Sequence, residues 1–294
     1  MSSQEKSVSG EQLAVSRKEA RSPRGLWITA SVRALLCVVV FPLTAYRSPL
    51  TAVQIQDNSF LIEEAYNQER GIVQHISTFE RLRGGDWAFG FTQEWPLGGI
   101  RHQLSYTLPV QNDAGGTGLG DIGLNYRHQL VGSPEAAVVF APRLSLLLPA
   151  GDHQQGRGAG ALGLQTNLPL SLVLRPEIVS HLNAGATITP SAKSLIGAEA
   201  TTADFNLGAS VIWLLQPSVN LMLEALWLST ASVAGAGETV RDESLFLNPG
   251  IRLAFDLVND LQIVPGVAYT FDIGRSSDED ALFLYLSLEH PFKR

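Results

Sequence analysis

The 294-residue sequence has a single cysteine and no apolar run near the roughly 18 residues that a membrane-spanning helix needs. With 45% hydrophobic residues and a mean hydropathy of +0.10, a bundle of membrane helices is excluded. The longest apolar stretch is ALLCVVVFPL, residues 34–43. Lys18, Arg21, Arg24 and Arg33 precede it, and the small pairs Thr44-Ala45 and Thr51-Ala52 follow. A basic approach, a short apolar core and a small-residue exit are the pattern of an export signal, expected over residues 1–45 with an approximate cleavage point. Cys37 lies inside that stretch after Leu35-Leu36, which argues against a lipid-modified cysteine. The remaining chain then has no thiol, and an exported protein without disulfides must draw its stability from its architecture.

Basic charge is also scarce. Without residues 1–45 the chain keeps 15 Lys/Arg against 25 Asp/Glu, a net charge of −10. No basic stripe remains to grip a phosphate backbone, so nucleic acid is not an expected partner. No H-E-x-x-H, paired C-x-x-C or G-x-S-x-G occurs. The six histidines, His75, His102, His128, His153, His181 and His290, show no metal-ligand spacing. A literal G-x-G-x-x-G at Gly158, Gly160 and Gly163 is followed by strand-like sequence, whereas a dinucleotide site needs a helix there. GGTGLGD lacks the Walker lysine. No catalytic, cofactor or metal site is therefore expected, and the chain does not read as an enzyme.

What the sequence has in abundance is period-two alternation. In IRHQLSYTLPVQ (100–111), Ile100, His102, Leu104, Tyr106, Leu108 and Val110 oppose Arg101, Gln103, Ser105, Thr107 and Gln111. In LGDIGLNYRHQLV (119–131), Ile122, Leu124, Tyr126 and Leu130 oppose Asp121, Asn125, Arg127 and Gln129. Successive side chains leave a strand on opposite faces, so both stretches predict β-strand. The theme recurs over 71–81, 86–95, 100–111, 119–131, 136–149, 161–174, 177–189, 203–215, 219–231, 244–257, 261–273 and 281–292, giving twelve strands. The odd connections from the third onward, such as NDAGGTG, GDHQQGRGAG, PSAKSLIGAEATT and SVAGAGETVRDE, are long and polar. The even ones, PLGG, GSPE, RP, QPS and VND, are tight turns. In an up-and-down sheet this puts long loops at one end and short turns at the other, as in bacterial outer-membrane barrels.

Strand length separates this reading from a soluble sandwich. Sandwich strands average about five or six residues, whereas a tilted membrane strand needs about 9–11. Aromatics fall in two groups, Trp95, Trp213, Phe255 and Phe292 near the short turns and Trp87, Trp227, Tyr269 and Phe271 nearer the long loops, as interfacial girdles would. The expected fold is thus all-β, a transmembrane antiparallel up-and-down barrel of about twelve strands over 71–294. Outer-membrane lipid and the barrel-assembly machinery are the expected partners, and homo-oligomer formation is left open. The closing LFLYLSLEHPFKR suits that assembly machinery, although Lys293-Arg294 follow the last aromatic. Residues 46–70 form a periplasmic N-terminal segment. Ser59 could cap a short helix there by accepting from Leu61 or Ile62, with Ile62, Ala65 and Tyr66 on one face. Either this segment is a plug or latch, or it is a loosely ordered terminus.

The expected pore lining mixes both signs: Arg101, Arg127, Arg143 and Arg252 against Glu94, Asp121, Asp204, Glu224, Asp256 and Asp272, with Tyr285 on the same face. Met222, Phe246, Phe283 and Tyr285 either form an apolar patch for hydrophobic solutes or fill the lumen. Two rivals stand beside a channel. A membrane-embedded hydrolase of the outer-membrane phospholipase type would need a His–Ser pair on neighbouring apolar faces, and none is evident. A structural barrel would conduct nothing.

LPVQNDAGGTGLGDIGLNYRHQLV followed by FAPRLSLLLPAGD resembles the outer-membrane transporter family known as "MetA-pathway of phenol degradation". The matching residues are Gly118, Gly120, Asp121, Ile122 and Leu124, then Pro149, Gly151 and Asp152, within a likeness spanning roughly 60–294. The resemblance implies an outer-membrane barrel that passes small, often aromatic or hydrophobic, solutes, and it transfers no catalytic residue.

Overall fold

The architecture comes from a computed structural model that describes residues 59–133, 135–273 and 280–292. The expected export signal over 1–45, and residues 46–58, lie outside the described residues. The alternating sequence forms one closed antiparallel barrel of twelve staves. Four staves are interrupted, so the strands number sixteen. Unbroken staves are β1 (Ile72–Leu82), β2 (Trp87–Pro96), β3 (His102–Asp113), β10 (Ile178–Lys193), β11 (Glu199–Gln216), β12 (Val219–Gly235), β15 (Gln262–Asp272) and β16 (Ala281–Pro291). The interrupted ones pair β4 (Gly116–Leu119) with β5 (Ile122–His128), β6 (Val138–Phe140) with β7 (Arg143–Leu148), β8 (Gly163–Asn167) with β9 (Leu170–Arg175), and β13 (Glu238–Leu253) with β14 (Phe255–Asp256). Pro142 and Pro169 stand at two of the breaks, where a residue without an amide hydrogen cannot continue the ladder.

Each stave pairs with the next in sequence, and the ring closes where β1 meets β16, in register from Ile72↔Pro291 to Leu82↔Ala281. The two faces sort as the alternation requires. Leu124, Leu146, Leu164, Leu207, Val211, Leu223 and Leu284 are exposed on the outside. Gln74, Ser145, Ser210, Glu224, Asn248, Arg252 and Ser287 are buried inside. A soluble protein would not leave an apolar belt of this extent uncovered. Trp213, Phe255 and Phe292 are exposed toward the short-turn end, and Tyr269 and Phe271 toward the other.

Two expectations are corrected here. PSAKSLIGAEATT and SVAGAGETVRDE are largely strand, because β10 to β13 continue pairing past the membrane-length segment. Their β-branched residues, including Thr202, Val233, Thr239 and Val240, extend the ladder despite the polar composition. The second hairpin turns tightly at Ala236-Gly237, with Gly237 at φ +73°. Residues 59–70 are not helical. They run as an irregular strap whose side chains and amides are taken up by the inner face of the barrel.

Candidate functional site

Inward-facing side chains of the barrel capture six backbone amides of the strap. Leu61 N and Ile62 N both donate to Glu224 Oε1 at 2.9 and 3.1 Å. Glu63 N donates to Asn183 Oδ1 at 2.8 Å, Ala65 N to Ser171 Oγ at 2.8 Å, Asn67 N to Gln129 Oε1 at 3.4 Å and Gln68 N to Gln103 Oε1 at 2.7 Å. Leu61 and Ile62 are the residues that Ser59 was expected to cap. Glu224 satisfies them instead, and Ser59 Oγ donates to Ser210 Oγ at 3.0 Å. Irregular backbone inside a barrel must find such partners, since each buried amide left unpaired costs about 1–3 kcal/mol.

Glu63 is the charged hub. Its Oε1 lies 3.2 Å from Arg127 Nη1, and its Oε2 accepts from Arg143 Nε at 2.9 Å and Asn167 Nδ2 at 2.7 Å. Burial pushes its carboxyl up, but the Arg143 and Arg127 guanidiniums and the bond from Asn167 outweigh that and hold it below the usual carboxylate range. Arg127 also donates to Asn67 Oδ1, Glu64 O and Tyr66 O, and lies 3.8 Å from Glu94. Arg143 reaches Asn125 Oδ1 and Ser145 Oγ through Nη1 and Gln165 Oε1 through Nη2. Tyr66 keeps its phenol proton, because burial and Glu64 push it up to about 12.

The apolar inward residues are filled rather than open. The Phe60 ring packs 5.6 Å from the Phe283 ring and 5.4 Å from the Tyr285 ring, in a cluster with Ile76, Ile212, Met222, Val264 and Ala268. Barrel glycines make its socket. A Cβ on Gly266 would come within 2.4 Å of the Phe60 ring and one on Gly250 within 2.5 Å, while one on Gly208 would meet Ile62 at 2.3 Å.

The expected lining residues divide into groups. Glu94, Arg127 and Arg143 converge around Glu63. Glu224 binds the strap, and Arg252 is buried beside Asn220, whose amide oxygen in its bonding orientation accepts from Nε and Nη2 at 3.2 and 3.3 Å. Tyr285 packs on Phe60. Asp204 faces a cavity and accepts from Ala231 N at 2.7 Å. Asp272 is buried, with neither carboxylate oxygen hydrogen-bonded among the described residues. Arg101 and Asp256 lie elsewhere, exposed at the short-turn end, Arg101 within the turn before β3 and Asp256 at the end of its short strand. Asp121 ties loop to wall: Oδ1 accepts from Gly151 N at 3.1 Å and Oδ2 from Ala159 N at 2.7 Å. This bond joins the two halves of the resemblance motif, G-D and P-x-G. The neighbouring glycines are accordingly packed, with Gly118 against Arg157, which donates to Gly116 O at 3.0 Å.

Sequence reasoning missed Glu63, Asn183, Ser171 and the Phe60 socket. Three glycines on inward positions of long strands were the available signal, because such glycines mark close approach of another segment. A Ser–His pair does occur, Ser171 Oγ to His181 Nδ1 at 2.7 Å, but it faces inward and the strap's Ala65 amide occupies the hydroxyl. On the long-loop side of the strap lie two cavities of about 340 and 360 Å³, which share Leu61, Glu63, Arg143 and Gln165.

No protein-family model and no curated protein sequence matches the chain. Solved structures do. The COG4313 outer membrane channel from Pseudomonas putida F1 superimposes with a TM-score of 0.52 at 11% identity, over 77% of this chain and 97% of that one. The NanC porin gives 0.49 at 6% identity (74% and 98%), and the KdgM porin 0.46 at 8% (74% and 99%). The chain thus shares the barrel fold of an outer-membrane channel.

Proposed function

We propose that this protein is an outer-membrane channel for passive passage of small solutes, held shut at rest by its own N-terminal strap. The observation that carries the reading is a closed ring with an apolar outer belt and a charged, hydrogen-bonding interior, an inversion that suits lipid outside and water inside. The strap acts as the latch: it crosses the lumen at its short-turn half, and six captured amides together with the Glu63 ion pairs favour the closed state. A solute must displace it in part. Arg127, Arg143, Glu94 and Glu224 then serve two roles, holding the latch when shut and lining the path when open. An aromatic or hydrophobic solute would compete with Phe60 for the apolar patch.

Planar-bilayer recording on purified protein, with and without residues 59–68, tests this. The intact chain should open rarely and the shortened barrel persistently. A shortened barrel that folds, inserts and stays silent would instead establish a non-conducting structural barrel.

A further inference from the structure

Side chains of the barrel wall hold the strap by its main chain. Glu224, Asn183, Ser171, Gln129 and Gln103 accept its six captured amides, and wall donors answer its carbonyls. Arg127 donates to Glu64 O and Tyr66 O, and Asn183 Nδ2 donates to Glu63 O at 2.7 Å. Asn183 thereby grips both main-chain groups of Glu63 with one amide. No backbone-to-backbone bond joins residues 59–68 to one another among the described residues, so their peptide groups are offered to the wall. Main-chain bonds of this kind supply affinity for a peptide whatever its side chains, and pockets supply the choice among them. Two such positions stand out. Gly250 and Gly266 leave the socket that the Phe60 ring fills, and Arg127 and Arg143 flank the Glu63 carboxylate. Access is a third, independent feature. Both cavities are lined by strap residues from 59–63 and by none from 64–68, so the part of the groove that holds Phe60 and Glu63 borders open space.

We infer that the lumen is a peptide-binding groove, that the strap is its built-in occupant, and that the solutes it binds are short peptides with an aromatic residue three positions before an acidic one. The assignment rests on the channel reading and names its solute class. Neither a sugar nor a hydrocarbon presents the alternating N–H donors and C=O acceptors that these wall side chains match. A lysine at the Glu63 position would face two guanidiniums and is disfavoured there. Leu61 borders both cavities, so the groove tolerates varied side chains at that position. An incoming peptide can displace the strap piecewise, starting at the end that borders the cavities.

Isothermal titration in detergent on the full chain tests this with a free synthetic copy of residues 59–68. The tethered strap competes at an effective concentration of about 1 mM, so the wild-type chain should take up the copy only near that level. Phe60→Ala weakens the tethered strap at least about a hundredfold, so the copy, which keeps its ring, should bind that variant at about 10 µM or below. Adding Gly266→Val closes the socket and should abolish that advantage. On the chain lacking residues 59–68, where no strap competes, an alanine-based peptide of equal length that keeps only Phe and Glu at their spacing should bind saturably. It should lose binding when its Phe becomes Ala or its Glu becomes Lys. In bilayer recordings the bound peptides should reduce the current of the opened channel. Heat-modifiable gel migration establishes that each variant is folded. The inference is overturned if the copy binds neither Phe60→Ala nor the shortened chain, if a scrambled peptide binds as well, or if bound peptide leaves the current unchanged. Each of these results leaves the channel reading in place. Absence of conductance from every variant would instead overturn the channel reading, and the titrations alone would then decide the groove.

Discussion

Phe60→Ala isolates the latch from the barrel. The ring is 8% exposed and lies between Gly250 and Gly266 against Phe283 and Tyr285. Truncating a buried phenylalanine costs about 3–5 kcal/mol. Here the loss falls on strap docking, because Phe60 belongs to the strap and the barrel ladders do not involve it. At about 1.4 kcal/mol per factor of ten, strap release should become roughly 10²- to 4 × 10³-fold more frequent. Amide hydrogen exchange reads this directly. Leu61 and Ile62 donate to the Glu224 carboxylate, not to a ladder, so they exchange when the strap lifts. Their exchange should accelerate by that factor while amides of β11 and β12 stay protected, and single-channel closed times should shorten in step. The reasoning fails if strap amides keep their protection, or if ladder amides accelerate equally, for then Phe60 is simply barrel core.

Gly266→Val should reproduce the Phe60→Ala behaviour from the opposite side, since even a Cβ there meets the ring at 2.4 Å; strap-amide exchange again provides the check. Glu63→Gln leaves Arg127 and Arg143 facing a neutral amide, and breaking a partly buried pair costs less than the roughly 3–5 kcal/mol of a fully buried one, enough that strap protection should drop and open probability rise in bilayer recordings. The acid response has a definite sign. Glu63 is held below its ordinary 4.5, so its contribution to docking is complete above that pH and is lost as pH falls through the depressed value. The Glu63 share of strap docking should therefore stay complete from about pH 7 to 5 and fall away only in stronger acid, and recordings on Glu63→Gln should lack that step. On the outside, Leu286 is exposed at the middle of β16. Leu286→Arg should destabilise the folded barrel by about 2–4 kcal/mol in urea titrations in lipid vesicles, as a midplane charge does.

The staves were legible because alternation is a local, repeated signal. Most predicted ends fall within about three residues of the observed ones, and the inward placement of Arg127, Arg143, Glu94 and Glu224 followed from parity alone. The strap was not legible, for a physical reason. Its backbone has no period, and four of its six captured amides bond to side chains more than a hundred residues away, as Leu61 to Glu224. A local rule can only offer those donors a local acceptor, which is why Ser59 looked like a cap. The extended hairpins were misread for the opposite reason: composition suggested loop where Thr and Val carried the ladder onward. Arg101 kept the correct parity but sits one turn below the wall it was expected to line.

The charges inside the barrel do not balance without the strap. Arg143 bonds to one carboxylate among the described residues, that of Glu63, and otherwise to neutral oxygens. Arg127 has Glu94 at 3.8 Å and Glu63 at 3.2 Å, and three further strap oxygens take its remaining donors. Lifting residues 63–68 would take from Arg143 its one carboxylate among the described residues and from Arg127 every partner named above but Glu94, in a confined space where an unpaired charge is most costly. Residues 59–62 are held differently, by the Glu224 carboxylate, the neutral Ser59–Ser210 bond and the packing of Phe60 and Ile62, and Glu224 keeps its bond to Asn248 when they leave. The strap therefore has a firmly ionic half against β5 and β7 and a releasable apolar half against β12 and β16, beneath the cavities. Opening by the apolar half alone would widen the path from the cavities while leaving the ionic lattice intact, and this asymmetry gives a latch its hinge.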